Sequence, residues 1–416
     1  MSKPRMHRIA ICLGAFALGA LVFFPPIAAP AETKAPAVKP MDEAKAKAWL
    51  TAWDKGIVGD AGNRYCDKET GEEIGWLITP FLNGFYYGYM ATGDTKWIDM
   101  LVDWADSTIK RGTKEPDGYL GWPKAEGAST KSVPDFTTDN QLGEQMALKP
   151  IALLSAEILK TPALKAKYGA KAEAYLKLAE ENFAKWEARG AWREVKEGGV
   201  WVVPPFGFDP KTGKFTDGYA ARTKDGFSLP DNKQNAVALY HLAMFDATKK
   251  PVYKDRAEKW FKVMKSRMKT REDGKYYVWN YWDPAGPWDY KPDGATKHWV
   301  GVHPNGGYYS IDLEGIVAAY EHGLVFSKAE IDRLIATNRD YMWDKKVEGA
   351  KFKRIDGGEP DERWAKSPGV LWSALAPYDE SLRQVFEANH QPATWGGLAA
   401  TPWYLSRFAP SLRGGR

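Results

Sequence analysis

Two kinds of helix alternate along this chain, and that alternation constrains its fold more than any other feature. One kind is amphipathic. Apolar side chains fall at Trp97, Leu101 and Trp104 in 92–111, and at Tyr168, Ala172, Tyr175, Ala179, Phe183 and Trp186 in 160–186. In 248–268 they fall at Tyr253, Ala257, Trp260, Met264 and Met268. Steps of three and four place each set on one stripe, with charges opposite. The other kind is apolar nearly all round: ITPFLNGFYYGYMA (78–91), MALKPIALLSAEIL (146–159), NAVALYHLAMFDA (235–247) and GIVAAYEHGLVF (315–326). A helix with no face for water has to be sandwiched. Alternation at intervals of tens of residues predicts stacked helical hairpins. The expected fold is all-α, an (α/α) toroid of about five to seven hairpins with the apolar helices inside. Start signals agree: Thr161-Pro162 reads as an N-cap with Pro in the first turn, and Ser327 with Glu330 as a capping box.

The ends bound the compartment. Lys3, Arg5 and Arg8 precede an apolar run from Ile9 to Phe24, followed by small residues at Ala29-Pro30-Ala31. Residues 1–31 therefore read as a secretory signal, 32–42 as an Ala/Pro/Lys-rich tether, and 43–416 as a single toroid domain. The apolar run is short for a bilayer span and ends in Pro25-Pro26. The mature chain is expected to be periplasmic or secreted, off the membrane and monomeric. Losing the leader leaves Cys66 alone, so no intramolecular disulfide is possible. The leader holds three of the 58 basic residues and none of the 53 acidic ones, which leaves the mature chain near +2. That balance argues against nucleic acid as a partner. Nineteen Trp and twenty Tyr are many, and flat amphipathic rings suit both large cores and the faces of sugars.

Two insertions, 188–230 and 271–308, break the helical rhythm with Gly, Pro and aromatic residues. Each follows an outer helix and precedes an inner one, so in a toroid both stand at one rim, as walls of one cleft. Inner helices also begin alike there, with TTDNQLGEQ (137–145) and LPDNKQN (229–235). Asp-Asn is foremost a capping signal, yet Asn140, Glu144, Asn232 and Asn235 sit at tips that face the mouth. Gln234, Ala238 and His241 share one helix face; His241 is either a core histidine or a lumen-facing one. In KHWVGVHPNGGYYS (297–310), His298, His303, Tyr308 and Tyr309 gather at a loop-to-helix junction, where imidazole and phenol can exchange protons with a substrate.

Tyr, His and Asn are the set needed to eliminate across C4–C5 of a uronic acid. A base takes the C5 proton, neutral amides or cations absorb charge building on the carboxylate, and a phenol protonates the leaving oxygen. Arg193, Arg222, Lys224 and Lys297 lie in the rim insertions and suit an acidic polysaccharide. Trp201, Trp282 and Trp299 offer stacking surfaces. No metal-ligand spacing and no cofactor motif occurs, so neither metal nor cofactor is expected.

On DNKQNAVALYH and HPNGGYYS the chain resembles the secreted α/α-toroid polysaccharide lyases of the alginate and glucuronan type, polysaccharide lyase family 38 in particular. The resemblance implies Tyr309 or Tyr308 as proton donor, His241 as base or helper, His303 near the carboxylate, and Asn140 or Asn235 as neutraliser. It also implies metal-independent β-elimination on a polyuronate. The chain departs from that pattern in lacking an Asn-His pair on an inner helix and in carrying His303 six residues before Tyr309. The alternative on the same ring is a glycoside hydrolase with paired carboxyl groups, for which Asp139, Glu144, Asp231, Asp283, Asp289 and Glu314 are available. A third is a non-catalytic glycan binder of the envelope, stacking sugars on Trp201, Trp279, Trp282, Trp288 and Trp299.

Overall fold

The computed structural model describes residues 38–123, 140–203, 207–209, 214–216, 226–303, 306–360 and 373–413. Residues 1–37, read from sequence as a signal and most of a tether, lie outside them. The tether's last residues are docked: Met41 is buried and its N–H donates to Phe408 O at 2.7 Å, while Asp42 caps the first helix through Lys45 N. Among the described residues no helix is long and apolar enough to cross a membrane.

Eleven α-helices occur among the described residues. Five line a lumen: α2 (Thr79–Thr92), α4 (Asn140–Lys160), α6 (Asp231–Thr248), α8 (Gly307–Glu321) and α11 (Gly397–Phe408). Outside them run α1 (Glu43–Ala61), α3 (Lys96–Lys110), α5 (Pro162–Ala188), α7 (Pro251–Arg267), α9 (Lys328–Ala336) and α10 (Glu380–Asn389). The all-α toroid read from the alternation is the observed fold. In α6 nearly every residue from Asp231 to Met244 is buried, whereas α7 buries only Tyr253, Ala257, Trp260, Phe261, Val263 and Met264. The expected capping box is present, with Ser327 N donating to Glu330 Oε2 at 2.7 Å.

Neighbouring inner helices pack in the order α11, α2, α4, α6, α8. The turn Ser373–Leu375 lies against α8 on the remaining side. Packing across α2 is close because Gly84 lacks a side chain. A Cβ there would stand 2.6 Å from both Leu398 O and Ile57 Cδ1. All five inner helices begin at the same end of the lumen. Residues from the first two turns such as Thr79, Ala236 and Ile311 line one cavity, and last-turn residues such as Asp246 and Arg407 line another.

Among the described residues, the two rim insertions contain short antiparallel hairpins. The first pairs β3 (Trp192–Val195) with β4 (Gly198–Val203), which also pairs with Phe227–Ser228. The second contains Tyr276–Val278 and Asn280–Trp282, the latter paired with Gly301–Val302. The insertions are joined to each other, as expected for walls of one cleft. Asp289 of the second accepts from Ser228 N at 2.6 Å and Ser228 Oγ at 2.8 Å of the first, and Trp282 Nε1 donates to Ser228 O at 2.7 Å.

Candidate active site at the lumen mouth

Immediately before α2 the chain makes a wide π-type turn, Ile74–Ile78, that carries Trp76. Such turns cost regular hydrogen bonding and tend to persist where they aim a side chain. The Trp76 indole donates to Glu72 Oε1 at 2.8 Å, and Glu72 in turn pairs with Lys233 at 3.0 Å. Across the mouth, Gly306 takes φ 110°, a conformation that favours glycine, and starts α8 so that Tyr308 stands at its tip. The Tyr308 ring lies 5.7 Å from Trp76 and 6.1 Å from Tyr281; Tyr281 lies 6.2 Å from Trp299. These four rings form a continuous aromatic shelf. Tyr308 is 44% exposed and Trp299 56%.

Beneath the shelf a cavity of about 260 Å³ is lined by Trp76, Asn83, Met146, Lys149, Glu314 and Trp395, among others. Lys149 Nζ pairs with Glu314 at 3.1 Å. The Asn83 Oδ1 is buried without a hydrogen-bond partner among the described residues. So are both polar atoms of Asn232, one turn above the lumen-lining Ala236. Buried amides without partners are uncommon in finished structures, because each costs about 1–3 kcal/mol unless something else fills the role. Among the described residues no cluster of three or more His, Cys, Asp or Glu side chains is arranged to hold a metal ion.

Of the residues expected at the site, the structure brings Tyr308, His298 and Trp299 to the mouth. His298 stacks on Phe227 at 6.0 Å and its Nδ1 lies 3.2 Å from Trp299 O. Arg193 lies in the first insertion with its guanidinium 4.7 Å above the Trp288 ring. Arg222, Lys224 and the side chain of Asn140 lie outside the described residues.

The other expected residues are in the core, and each has a physical reason to be there. Tyr309 is 0% exposed; it stacks on Trp279 at 5.3 Å and its hydroxyl donates to Asn338 Oδ1 at 3.1 Å. Burial raises its pKa far above the ordinary phenol value. His303 is buried with Nε2 3.2 Å from Asp312 Oδ2. Asn235 donates to Asp312 Oδ1 at 2.6 Å and accepts from Trp260 Nε1 at 2.8 Å. Burial lifts Asp312 to about 7 despite the donors Trp279, at 2.9 Å from its Oδ2, and Asn235. Gln234 is spent on the main chain of Trp201, accepting from its N–H at 2.9 Å and donating to its O at 2.7 Å. Trp201 and Trp282 are themselves buried. Glu144 faces α5 and accepts from Lys185, Asn182 and Trp186.

His241 sits among the rings of Phe183, Trp201, Tyr240 and Tyr253, away from the lumen. Burial lowers its pKa from 6.5 to about 3. The unfolded imidazole takes up a proton below its ordinary value while the folded one does not, so stability falls as pH drops from 6.5 toward 3. His241→Phe keeps a ring in the box and removes that liability. Chemical denaturation at about pH 7 and about pH 4 should show a smaller loss in the variant than in the parent; equal losses would contradict this placement.

Trp76, Asn83 and Lys149 were not among the residues expected from sequence. Their signal was present: each is a lone bulky or polar group in an otherwise apolar inner segment.

No known protein family and no curated protein matches the chain. Solved structures do. A D-mannose isomerase superposes with a TM-score of 0.52 at 13% identity, covering 88% of this chain and 99% of that one. A polysaccharide lyase gives 0.47 at 11% identity, covering 89% and 99%. A GH76 α-mannanase of Bacteroides thetaiotaomicron gives 0.46 at 13%, covering 89% and 96%. At these identities the likeness is one of fold, and it makes this chain a member of the α/α-toroid architecture.

Proposed function

We propose that the chain is a glycan-processing enzyme, secreted or periplasmic and monomeric, that cleaves an acidic polysaccharide by β-elimination at the lumen mouth. The observation that carries the reading is the shelf Trp76–Tyr308–Tyr281–Trp299, whose Trp76 end lines the same cavity as Lys149. Rings in a row suit the faces of successive sugars, and one of them carries an exposed hydroxyl at an inner-helix tip. The donor role passes from Tyr309 to Tyr308, because only the latter is accessible.

In this mechanism Tyr308, as phenolate, takes the C5 proton. The electron pair moves toward the C6 carboxylate, whose growing charge is met by the Lys149 ammonium and by amide N–H groups such as that of Asn232. The C4–O bond then breaks, C4 and C5 become doubly bonded, and Tyr308 returns its proton to the leaving oxygen. No water is consumed. One phenol serves both steps here. His298 is set apart from Tyr308 by the Tyr281 ring, which is 5.8 Å from the one and 6.1 Å from the other.

The hydrolase reading has one observation in its favour, the Glu314 carboxylate in the lumen wall. Among the described residues it lacks a free partner there. Asp246 and Glu321, the other described carboxylates lining the lumen, are held by His322 and Arg407. A panel of polyuronates and neutral glycans tests the reading. A rise in near-ultraviolet absorbance on a polyuronate supports it, and new reducing ends without that absorbance would replace it with hydrolysis. Trp76→Ala, which removes one end of the shelf, should raise KM about tenfold with kcat nearly unchanged. An unchanged KM would take Trp76 out of substrate binding.

A further inference from the structure

The lumen does not end at the Lys149–Glu314 pair. A cavity of about 240 Å³ shares those two residues and continues to the C-terminal ends of the inner helices. There it is lined by Tyr86, Tyr87, Asp246, His322, Trp403 and Arg407. Nothing in the reaction proposed at the mouth uses this end.

Its charges cancel. Lys149 pairs with Glu314 at 3.1 Å, His322 with Asp246 at 3.0 Å, and Arg407 with Glu321 through two bonds of 2.8 and 3.0 Å. Burial opposes the charge of His322, but its contacts with Asp246 outweigh burial and raise its pKa. Lys149 and Arg407 keep further N–H donors and Glu314 its second oxygen, whereas both His322 nitrogens are engaged, Nδ1 with Ala318 O at 2.7 Å and Nε2 with Asp246 at 3.0 Å. The cavity also has an indole face, Trp403, with the Arg407 guanidinium 4.6 Å from its ring.

Ion pairs between helix ends are explained by closure of the ring alone. The phenols are not. Tyr86 and Tyr87 lie side by side, rings 5.0 Å apart, and neither hydroxyl has a hydrogen-bond partner among the described residues. Burial raises both pKa values, so both remain neutral donors. Mixed donors and acceptors, no net charge and one flat apolar face match a ring bearing several hydroxyls. A carboxylate at the far end would meet Arg407 and His322 already paired with Glu321 and Asp246.

We propose that the far end of the lumen is a second binding site, for an uncharged hexose-sized sugar. The inference rests on the lumen's geometry and not on the reaction at the mouth, so inactivity on every polyuronate leaves it standing. Titration calorimetry of the mature chain with D-glucose, D-mannose, D-galactose and D-glucuronate tests it. At least one neutral hexose should bind, with glucuronate about tenfold weaker or worse. Tyr86→Phe, which removes one free hydroxyl, should weaken the hexose about fivefold to tenfold, and Trp76→Ala should leave it unchanged. Trp403→Phe repeats the test if Tyr86→Phe lowers the melting temperature. No heat with any neutral hexose, or glucuronate binding as tightly, would overturn the proposal. So would hexose binding that survives both lumen-end variants and is lost in Trp76→Ala, which would put the sugar at the mouth.

Discussion

Tyr308→Phe is expected to lower kcat on the substrate polyuronate by about a thousandfold or more while changing KM less than about threefold. The substitution removes one oxygen and leaves the ring where it is, against Trp76 and Tyr281. Binding through the shelf should therefore persist. What disappears is the only group assigned to move the C5 proton and protonate the leaving oxygen. The neighbouring substitution behaves differently. Tyr309→Phe breaks a hydrogen bond to Asn338 inside the core, so it should cost about 1 kcal/mol of stability and leave kcat within about twofold. Full activity in Tyr308→Phe, with loss in a stably folded Tyr309→Phe, would return the chemistry to the residue first indicated by sequence.

The second large effect concerns stability. Lys185→Ala is expected to destabilise the protein by about 3–5 kcal/mol in equilibrium urea denaturation. The Lys185 ammonium is fully buried, 2.8 Å from Glu144 and 2.7 Å from Glu115. Arg189 reaches the same Glu115 oxygen, Oε2, at 2.8 Å, and Asn182 and Trp186 donate to Glu144 at 2.6 and 2.9 Å. Removing the ammonium strands two buried carboxylates, and that cost exceeds whatever the intact pair contributes over an apolar substitute. Adding Glu144→Gln to Lys185→Ala should recover part of the loss. A single-variant cost below about 1 kcal/mol would mean this cluster does not hold α4 against α5. The same observation explains why Glu144 is absent from the cleft despite standing one turn into an inner helix: its face of α4 looks at α5.

Which helices are inside was legible, because burial on every side leaves an all-apolar pattern that nothing else produces. The rim insertions were legible too, since Gly, Pro and aromatic runs cannot continue a helix. Which residue of an inner helix faces the lumen was not. Tyr308 and Tyr309 are adjacent and so point about 100° apart, and the phase of α8 depends on Leu313 and Ile316 seating in the core. On α6 the lumen face carries Ala236, Leu239, Ala243 and Asp246, while Gln234, Asn235 and His241 look outward to β4, α7 and α5. Both faces are apolar enough that pattern alone does not separate them. The readable sign of the lumen was a different one. A lysine within MALKPIALL, or an asparagine within ITPFLNGF, stands alone in an apolar helix, and a lone ammonium or amide there needs a wet or functional cavity beside it.

Elimination and hydrolysis differ by one water, and the most direct test counts it. Digestion of the preferred polyuronate in water enriched in heavy oxygen, followed by mass spectrometry of the fragments, distinguishes the two. Elimination predicts new non-reducing ends lighter by one water and no heavy oxygen incorporated at the cleaved bond. Fragments of full hydrated mass carrying the heavy label would contradict the account and move the chemistry to Glu314.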